Sequence, residues 1–221
     1  LVEDNRVITN VGGTDGSKGA GIVAFNAETG AVLWTATTDE ASYSSPVAAT
    51  LAGKKTAVFL TRNGLVGVDP ASGAVFFQKR WRSRSAASVN AASPLIIGDS
   101  IFVSATYDTG AALLRVESGG LKEVWSSDEV LSNHYATSVY RDGYLYGFHG
   151  RQEFNPSFRA VELATGSVKW SADRFRAGTV TLADDKLVIL RETGELIVAA
   201  ATPQAFRPLA RAQILPAVIR A

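Results

Sequence analysis

Side chains that could bind a polar ligand are grouped in three segments, each just before a predicted strand. The segments begin near Tyr43, at Asn90 and at Asn133, and each contains Ser or Thr residues. Amide, imidazole and phenol groups both donate and accept hydrogen bonds. The candidate ligand- or partner-binding residues are therefore Tyr43, Asn90, Asn133, His134 and Tyr135. The alternative is structural: Ser and Thr satisfy backbone groups there, and the aromatic rings pack between repeated units.

Catalytic and metal-binding motifs are missing from the sequence. Neither His134 nor His149 lies in an H-x-E or H-E-x-x-H context. The chain has no Cys, which removes thiolate ligands and cysteine nucleophiles. Asp108, Asp128 and Glu129 lie between predicted strands with no spacing that joins them into a site, so we interpret them as turn or surface residues. We predict no catalytic residue and no metal site.

Composition excludes several broad classes. Apolar residues make up 46% of the 221 residues and charged residues 19%, which is typical of a globular protein. A net charge of +1 argues against general binding to nucleic acid or to a membrane surface. No apolar run approaches the roughly 18 residues of a membrane span, so we expect no membrane insertion.

Two local features remain open to a functional or a structural interpretation. The charge run 79–84 (KRWRSR) is either an anion or acidic-partner site or a solvated connection between units. The insertion 154–158 (FNPSF) is either a contact patch or an ordinary loop that contains a proline.

The strands and turns that position these residues are predicted from a strand–turn–strand sequence that is repeated along the chain. Its first copy is 24–34 (AFNAETGAVLW), and further copies are 67–77, 114–125 and 160–170. Asn26 can start the turn, and Gly30 supplies the positive φ that such hairpin loops commonly need. Each copy ends in a large ring that can bury 150–250 Å². We predict that these rings dock neighbouring units: Trp34, Phe77, Trp125 and Trp170.

The spacing of the copies predicts the architecture. The turn glycines Gly30, Gly73, Gly120 and Gly166 are 43, 47 and 46 residues apart, and four short strands in 40–50 residues is the period of a propeller blade. We predict an all-β, single-domain β-propeller with about four and a half four-stranded antiparallel blades. The predicted units are 1–38, 43–81, 90–127, 135–173 and 178–215. The first unit shows only three strands, and with no Met at position 1 this suggests a processed chain or a fragment of a longer protein.

The repeated pattern A-x-[DN]-x-x-T-G-x-x-x-W resembles the tryptophan-docking motif of PQQ-like (pyrroloquinoline-quinone-type) β-propeller repeats. The match is full at 24–34, nearly full at 160–170, partial at 67–77 and weak at 114–125. The resemblance is strongest to bacterial extracytoplasmic members, so it implies a periplasmic or otherwise extracytoplasmic location. Their rings commonly have seven or eight blades, so the resemblance also implies a partial ring or a fragment of one.

Members of this family differ in function, and the resemblance leaves both kinds open. Some are quinoprotein dehydrogenases that hold PQQ and calcium in the central channel, whereas others bind protein and have no cofactor. The missing Cys pair lowers the first possibility. We expect a non-enzymatic scaffold without cofactor that binds a protein or small ligand at the channel mouth or blade surface. The alternatives are a PQQ-dependent alcohol or sugar dehydrogenase, and a structural piece completed by the remaining blades of a larger propeller. In the propeller, the five candidate residues would converge at one mouth of the channel.

Overall fold

Short antiparallel strands account for nearly all regular structure in the computed structural model, which describes residues 1–16, 18–86 and 89–216. Within those ranges there are 22 strands and one 3₁₀ turn at Gln152–Phe154. The strands form five four-stranded sheets and a two-stranded ribbon. In these ranges no helix is long and apolar enough to cross a membrane.

The first three sheets follow the chain in order. The first contains β1 (Val2–Glu3), β2 (Arg6–Asn10), β5 (Ile22–Asn26) and β6 (Val32–Ala36), and the ribbon β3 (Thr14–Asp15) and β4 (Lys18–Gly19) lies between β2 and β5 in sequence. The second contains β7 (Val47–Leu51), β8 (Lys54–Leu60), β9 (Gly64–Val68) and β10 (Val75–Arg80). The third contains β11 (Leu95–Ile97), β12 (Ser100–Ala105), β13 (Gly110–Glu117) and β14 (Gly120–Ser127).

The last two sheets repeat the same meander. The fourth contains β15 (Val139–Arg141), β16 (Tyr144–His149), β17 (Ser157–Glu162) and β18 (Val168–Ala172). The fifth contains β19 (Gly178–Ala183), β20 (Lys186–Arg191), β21 (Glu195–Ala200) and β22 (Arg207–Gln213). The all-β architecture of four-stranded antiparallel blades is thus confirmed, with five such sheets present.

The first sheet has one strand more than the sequence predicts. Val2–Glu3 pairs with β2 in the register Val2↔Val7 and Glu3↔Arg6. The turn between them places Asp4 at φ 45° and Asn5 at φ 59°. Two successive left-handed residues make the tight hairpin turn whose twist suits antiparallel strands, and Asp and Asn adopt that conformation readily. The three-strand expectation missed a strand of two residues.

Burial follows the position of each strand in its sheet. All five residues of β9 are buried, whereas all seven of the outermost strand β22 are exposed. β9 is therefore apolar on both faces, which is why it appears in the sequence as a continuous apolar run.

The chain divides into two compact units, one of Leu1–Val103 with Leu114–Glu123 and one of Ser104–Leu113 with Val124–Ala221. The first has a core that includes Ile8, Ile22, Phe59 and Val66. The core of the second is richer in aromatic residues and includes Tyr146, Phe148, Phe158 and Phe175.

Candidate functional site: an arginine held between aromatic rings

Two of the predicted binding residues lie in the first unit and differ sharply in exposure. Tyr43 is 75% exposed. Asn90 is buried, and its Nδ2 donates to the carbonyl oxygens of Thr61 (2.8 Å) and Trp81 (2.7 Å). Both amide protons of Asn90 are therefore donated to backbone carbonyl groups.

Asn133 in the second unit is likewise engaged by the protein itself. It is buried, its Nδ2 donates to the Phe148 carbonyl at 2.8 Å, and its Oδ1 accepts from Ser138 Oγ at 3.0 Å. Its backbone N–H donates to Ser104 Oγ at 2.7 Å. The amide holds the entry to β15 in place.

His134 follows the buried Asn133 and contacts residues that lie nearer the surface. Its Nδ1 accepts the Gln152 N–H at 3.3 Å, so the ring proton is assigned to Nε2, which lies 3.0 Å from Tyr107 Oη. Its ring lies 4.0 Å from the Tyr135 ring, centroid to centroid. Burial lowers the pKa of His134; the Arg151 cation acts in the same direction and Glu153 opposes it. His134 is therefore held as a neutral imidazole that orients Tyr107.

Arg151 lies between two aromatic rings. Its guanidinium carbon is 4.5 Å from the Tyr107 ring centroid and 5.1 Å from that of Phe154. Its Nε is 3.5 Å from a carboxylate oxygen of Glu153. A guanidinium in this position is attracted to the faces of both rings. We name Tyr107, Tyr135, Arg151 and Phe154 the aromatic–arginine surface.

The loop that carries Arg151 and Phe154 is fastened at several points. Gly150 N–H donates to the Ser132 carbonyl (2.9 Å), and Phe175 N–H donates to the Pro156 carbonyl (3.0 Å). Asn155 adopts the left-handed conformation (φ 52°, ψ 67°), and its Oδ1 accepts from Arg176 at 2.9 Å. Phe154 nevertheless remains 71% exposed. The loop therefore presents a large apolar ring to solvent from a defined backbone.

The turn that carries Tyr107, the other ring in contact with Arg151, has an unfavourable backbone conformation. Tyr107 and Asp108 both have positive φ, at 62° and 57°, before Gly110 at 86°. Non-glycine residues adopt this region at a cost unless the surroundings hold them there. The hydrogen bond to His134 and the contact with Arg151 hold the Tyr107 ring. Sequence reasoning missed Tyr107 and Arg151, because only the hairpins bring them together; the 154–158 insertion was the available signal.

The space beside His134 is small. A cavity of about 90 Å³ is bordered by His134, Tyr135, Phe148, Gly150, Pro156 and Thr179, among others. Pockets for cofactor-sized ligands usually enclose about 300–1,000 Å³. This part of the molecule is thus suited to surface contact rather than to enclosing a ligand.

Three of the five residues predicted at the channel mouth, Asn90, Asn133 and His134, are poorly suited to hold PQQ or calcium. The amide protons of Asn90 and both ends of the Asn133 amide are bonded within the protein, as are both ring nitrogens of His134. Over residues 1–16, 18–86 and 89–216, no group of three or more His, Cys, Asp and Glu side chains is arranged to hold a metal ion. No reaction step can be derived from this donor set.

His149 and the charge run have local partners. His149 Nδ1 accepts the Ser132 N–H at 3.1 Å, and burial, helped by Arg159, lowers its pKa to about 4. Lys79 pairs with Glu123 at 3.0 Å, and Arg82 donates to Asn63 Oδ1 at 2.8 Å. Lys79 lies at the end of β10 and Arg82 in the segment after it, so each is paired locally.

Three of the four predicted docking rings make the same contact with the outer turn of the next sheet. Trp34 Nε1 donates to the Pro70 carbonyl at 3.2 Å, Trp125 to Leu163 at 2.7 Å and Trp170 to Thr202 at 2.8 Å. The first two rings also cover a turn glycine, Gly73 and Gly166 respectively. We call this arrangement the indole contact. Phe77 is the exception, since a phenyl ring has no N–H to donate.

The comparisons with known proteins agree with this architecture. A family model described as outer membrane protein assembly factor BamB matches residues 1–172. BamB from Moraxella catarrhalis is 16% identical with a TM-score of 0.72, over 98% of this chain and 63% of that one. Quinohemoprotein alcohol dehydrogenase from Comamonas testosteroni is 12% identical with a TM-score of 0.65, over 88% of this chain and 40% of that one.

A designed protein has the same fold, and the curated proteins give no match. The computationally designed Ika8 protein is 10% identical with a TM-score of 0.59, over 99% of this chain and 74% of that one. No curated protein matches the sequence significantly. The chain spans under two thirds of the Moraxella protein and two fifths of the Comamonas enzyme.

At these identities the structural likenesses show the fold, a propeller built of four-stranded blades. Because the family model covers most of the sequence, this chain belongs to the PQQ-type repeat family whose model is described as outer membrane protein assembly factor BamB.

Proposed function

We propose that the chain is a non-enzymatic, extracytoplasmic bacterial scaffold that binds a protein partner through the aromatic–arginine surface. The family is named for a protein assembly factor, which supports a role in holding other proteins. The indole contacts of Trp34, Trp125 and Trp170 join each outer strand to the turn of the next sheet, which supports the role of a preformed scaffold. A scaffold of this kind would need neither PQQ nor calcium to bind its partner.

The observation that carries the proposal is the exposed Phe154 ring on a fastened loop. Aromatic and Arg side chains dominate the binding energy of protein interfaces, particularly where they are desolvated together. A loop that is already ordered loses less conformational freedom on binding. Phe154, Arg151 and Tyr135 supply such side chains, and the hydrogen bonds of His134, Gly150 and Asn155 order them.

Site-specific photo-crosslinking in the periplasm tests this proposal. A benzophenone amino acid replaces Phe154 in one variant and Leu209, which is 50% exposed on β22, in a control. We expect one discrete crosslinked partner from position 154 and none from position 209. With that partner purified, Phe154→Ala should weaken binding by about 2 kcal/mol. Equal crosslinking from both positions, or full affinity of Phe154→Ala, would contradict the proposal.

The competing function is a piece of a PQQ-dependent oxidoreductase, which is supported by the shared fold with the Comamonas enzyme. Titration with PQQ and Ca²⁺, followed by absorbance, separates the two. Stoichiometric binding of PQQ would overturn the scaffold proposal, whereas spectra equal to those of the free cofactor would support it.

A further inference from the structure

Among the described residues, one of the four turns that could receive an indole has no ring over its glycine. A Cβ at Gly73 would lie 2.5 Å from the Trp34 ring, and one at Gly166 would lie 3.0 Å from the Trp125 ring. Both glycines are buried. Gly120, in the corresponding turn of the third sheet, is partly exposed, and a Cβ there would meet nothing within 4 Å.

The ring that precedes this turn lies over its own sheet instead. Phe77 pairs with Gly67 across the strands, at the place where Trp34 pairs with Ala24 and Trp170 with Ala160. The Phe77 ring occupies the space that a Cβ at Gly67 would need. Because Gly67 has no side chain, the phenyl ring packs down against the backbone and does not cover Gly120.

A pocket is present beside this turn. It has a volume of about 190 Å³ and is lined by Leu51, Thr56, Phe76, Phe77, Val116 and Gly120, among others. An apolar cavity of about 150 Å³ is enough to bind benzene in water. The pocket is thus of the size needed for an aromatic ring system, and all its lining residues belong to the first unit.

We propose that this pocket binds the indole ring of a tryptophan side chain from a partner polypeptide. The chain's own indole contacts show what such a turn accepts: a flat ring over the glycine, with an N–H donated to a turn carbonyl. The turn 117–120 offers an uncovered glycine and neighbouring backbone carbonyls; it is a tighter turn than the other two, with Gly120 at φ 122° where Gly73 and Gly166 have 75° and 72°. Lys54 and Glu117 border the pocket and are exposed, so it opens to solvent and a side chain can enter from outside.

Calorimetry and backbone NMR with three probes test this site. The probes are indole, 1-methylindole and the capped tripeptide acetyl-Gly-Trp-Gly-amide. We expect saturable one-to-one binding of indole and of the tripeptide, with amide shifts centred on Val116 and Gly120. Since 1-methylindole has no N–H, it should bind about tenfold more weakly.

Two variants fill the pocket from opposite sides. Gly67→Ala combined with Phe77→Trp supplies an internal indole that is held off its own sheet, and Val116→Phe adds volume from the third sheet, so each should weaken indole binding by at least about tenfold. Val116→Phe keeps the test decisive if the double variant fails to fold. Leu209→Trp adds an indole at an exposed strand of the second unit and should leave binding unchanged.

Several results would overturn the proposal. These are the absence of saturable binding to the unsubstituted protein, unchanged binding in a folded pocket-filling variant, or equal affinity for 1-methylindole. Binding of indole without binding of the tripeptide would show that only a free small molecule can enter, which contradicts a partner side chain as the occupant.

Discussion

The indole of Trp34 lies directly against the α-carbon of Gly73, so close that a Cβ there would be 2.5 Å from Cε3 of the ring. The same indole donates its N–H to the Pro70 carbonyl three residues earlier. The turn glycine therefore has two roles, a positive φ of 75° and a flat surface for the ring. Trp125 and Gly166 repeat the arrangement.

Gly73→Ala and Gly30→Ala separate these two roles. Both glycines have nearly the same φ (75° and 71°), but a Cβ at Gly30 meets nothing within 4 Å. We expect Gly30→Ala to cost about 1–2 kcal/mol of unfolding free energy from backbone conformation alone. Gly73→Ala should cost a further ~1–3 kcal/mol because the new methyl group collides with Trp34. Urea unfolding measures both, and equal losses would show that the ring contact contributes nothing.

Trp34→Ala should lower the free energy of unfolding by about 3 kcal/mol. The value is at the low end for loss of a large ring because Trp34 is only partly buried. Val32→Ala on the same strand is the control; Val32 is 58% exposed, and its truncation should stay within about 0.5 kcal/mol. A loss in Trp34→Ala no larger than that of the control would contradict the contact's role.

The double change Gly67→Ala with Phe77→Trp should stabilise the protein. It recreates the Ala–Trp pair found at Ala24–Trp34 and Ala160–Trp170, and we expect the added methyl group to keep the indole off its own backbone. The ring then fills the pocket beside Gly120, a gain of about 1 kcal/mol. Gly67→Ala alone should be destabilising, because its Cβ collides with the Phe77 ring. Thermal unfolding of the unsubstituted protein and of both variants checks the order, and a double variant less stable than the unsubstituted protein would refute it.

Acidification should weaken the fold through His149. Burial, with a smaller effect of Arg159, lowers its pKa from the usual 6.5 to about 4, so the unfolded chain takes up a proton first as pH falls. The stabilisation is complete above about pH 6.5 and declines between 6.5 and about 4. His134, whose pKa is also lowered, acts in the same direction.

Unfolding curves recorded between pH 7.5 and 4.5 measure this dependence. His149→Gln, which cannot be protonated, should flatten the profile without abolishing it, since His134 remains. An unchanged slope in His149→Gln would show that the ring is not held neutral in the folded protein.

The turn glycines and the docking rings show most clearly how much of the structure the sequence predicts. The spacing of Gly30, Gly73, Gly120 and Gly166 predicts the strand count of the later sheets, because a repeated turn forces a repeated hairpin. The strand Val2–Glu3 was missed, because two residues carry no periodicity. Phe77 stands in the place of a tryptophan in the sequence, yet Gly67 across the strand decides where its ring lies.

The sequence by itself determined the repeat, the antiparallel hairpins and the membership of a repeat family, since these depend on local spacing and turn chemistry. Tertiary structure decided which polar groups remain available for function. Asn90, Asn133 and His134, which the sequence predicts as binding residues, each form hydrogen bonds with the protein's own backbone or with a neighbouring ring. Tyr107 and Arg151 are 44 residues apart in the sequence and come into contact only when their hairpins fold. Because contacts across that separation leave no local sequence pattern, the sequence could not predict this pair.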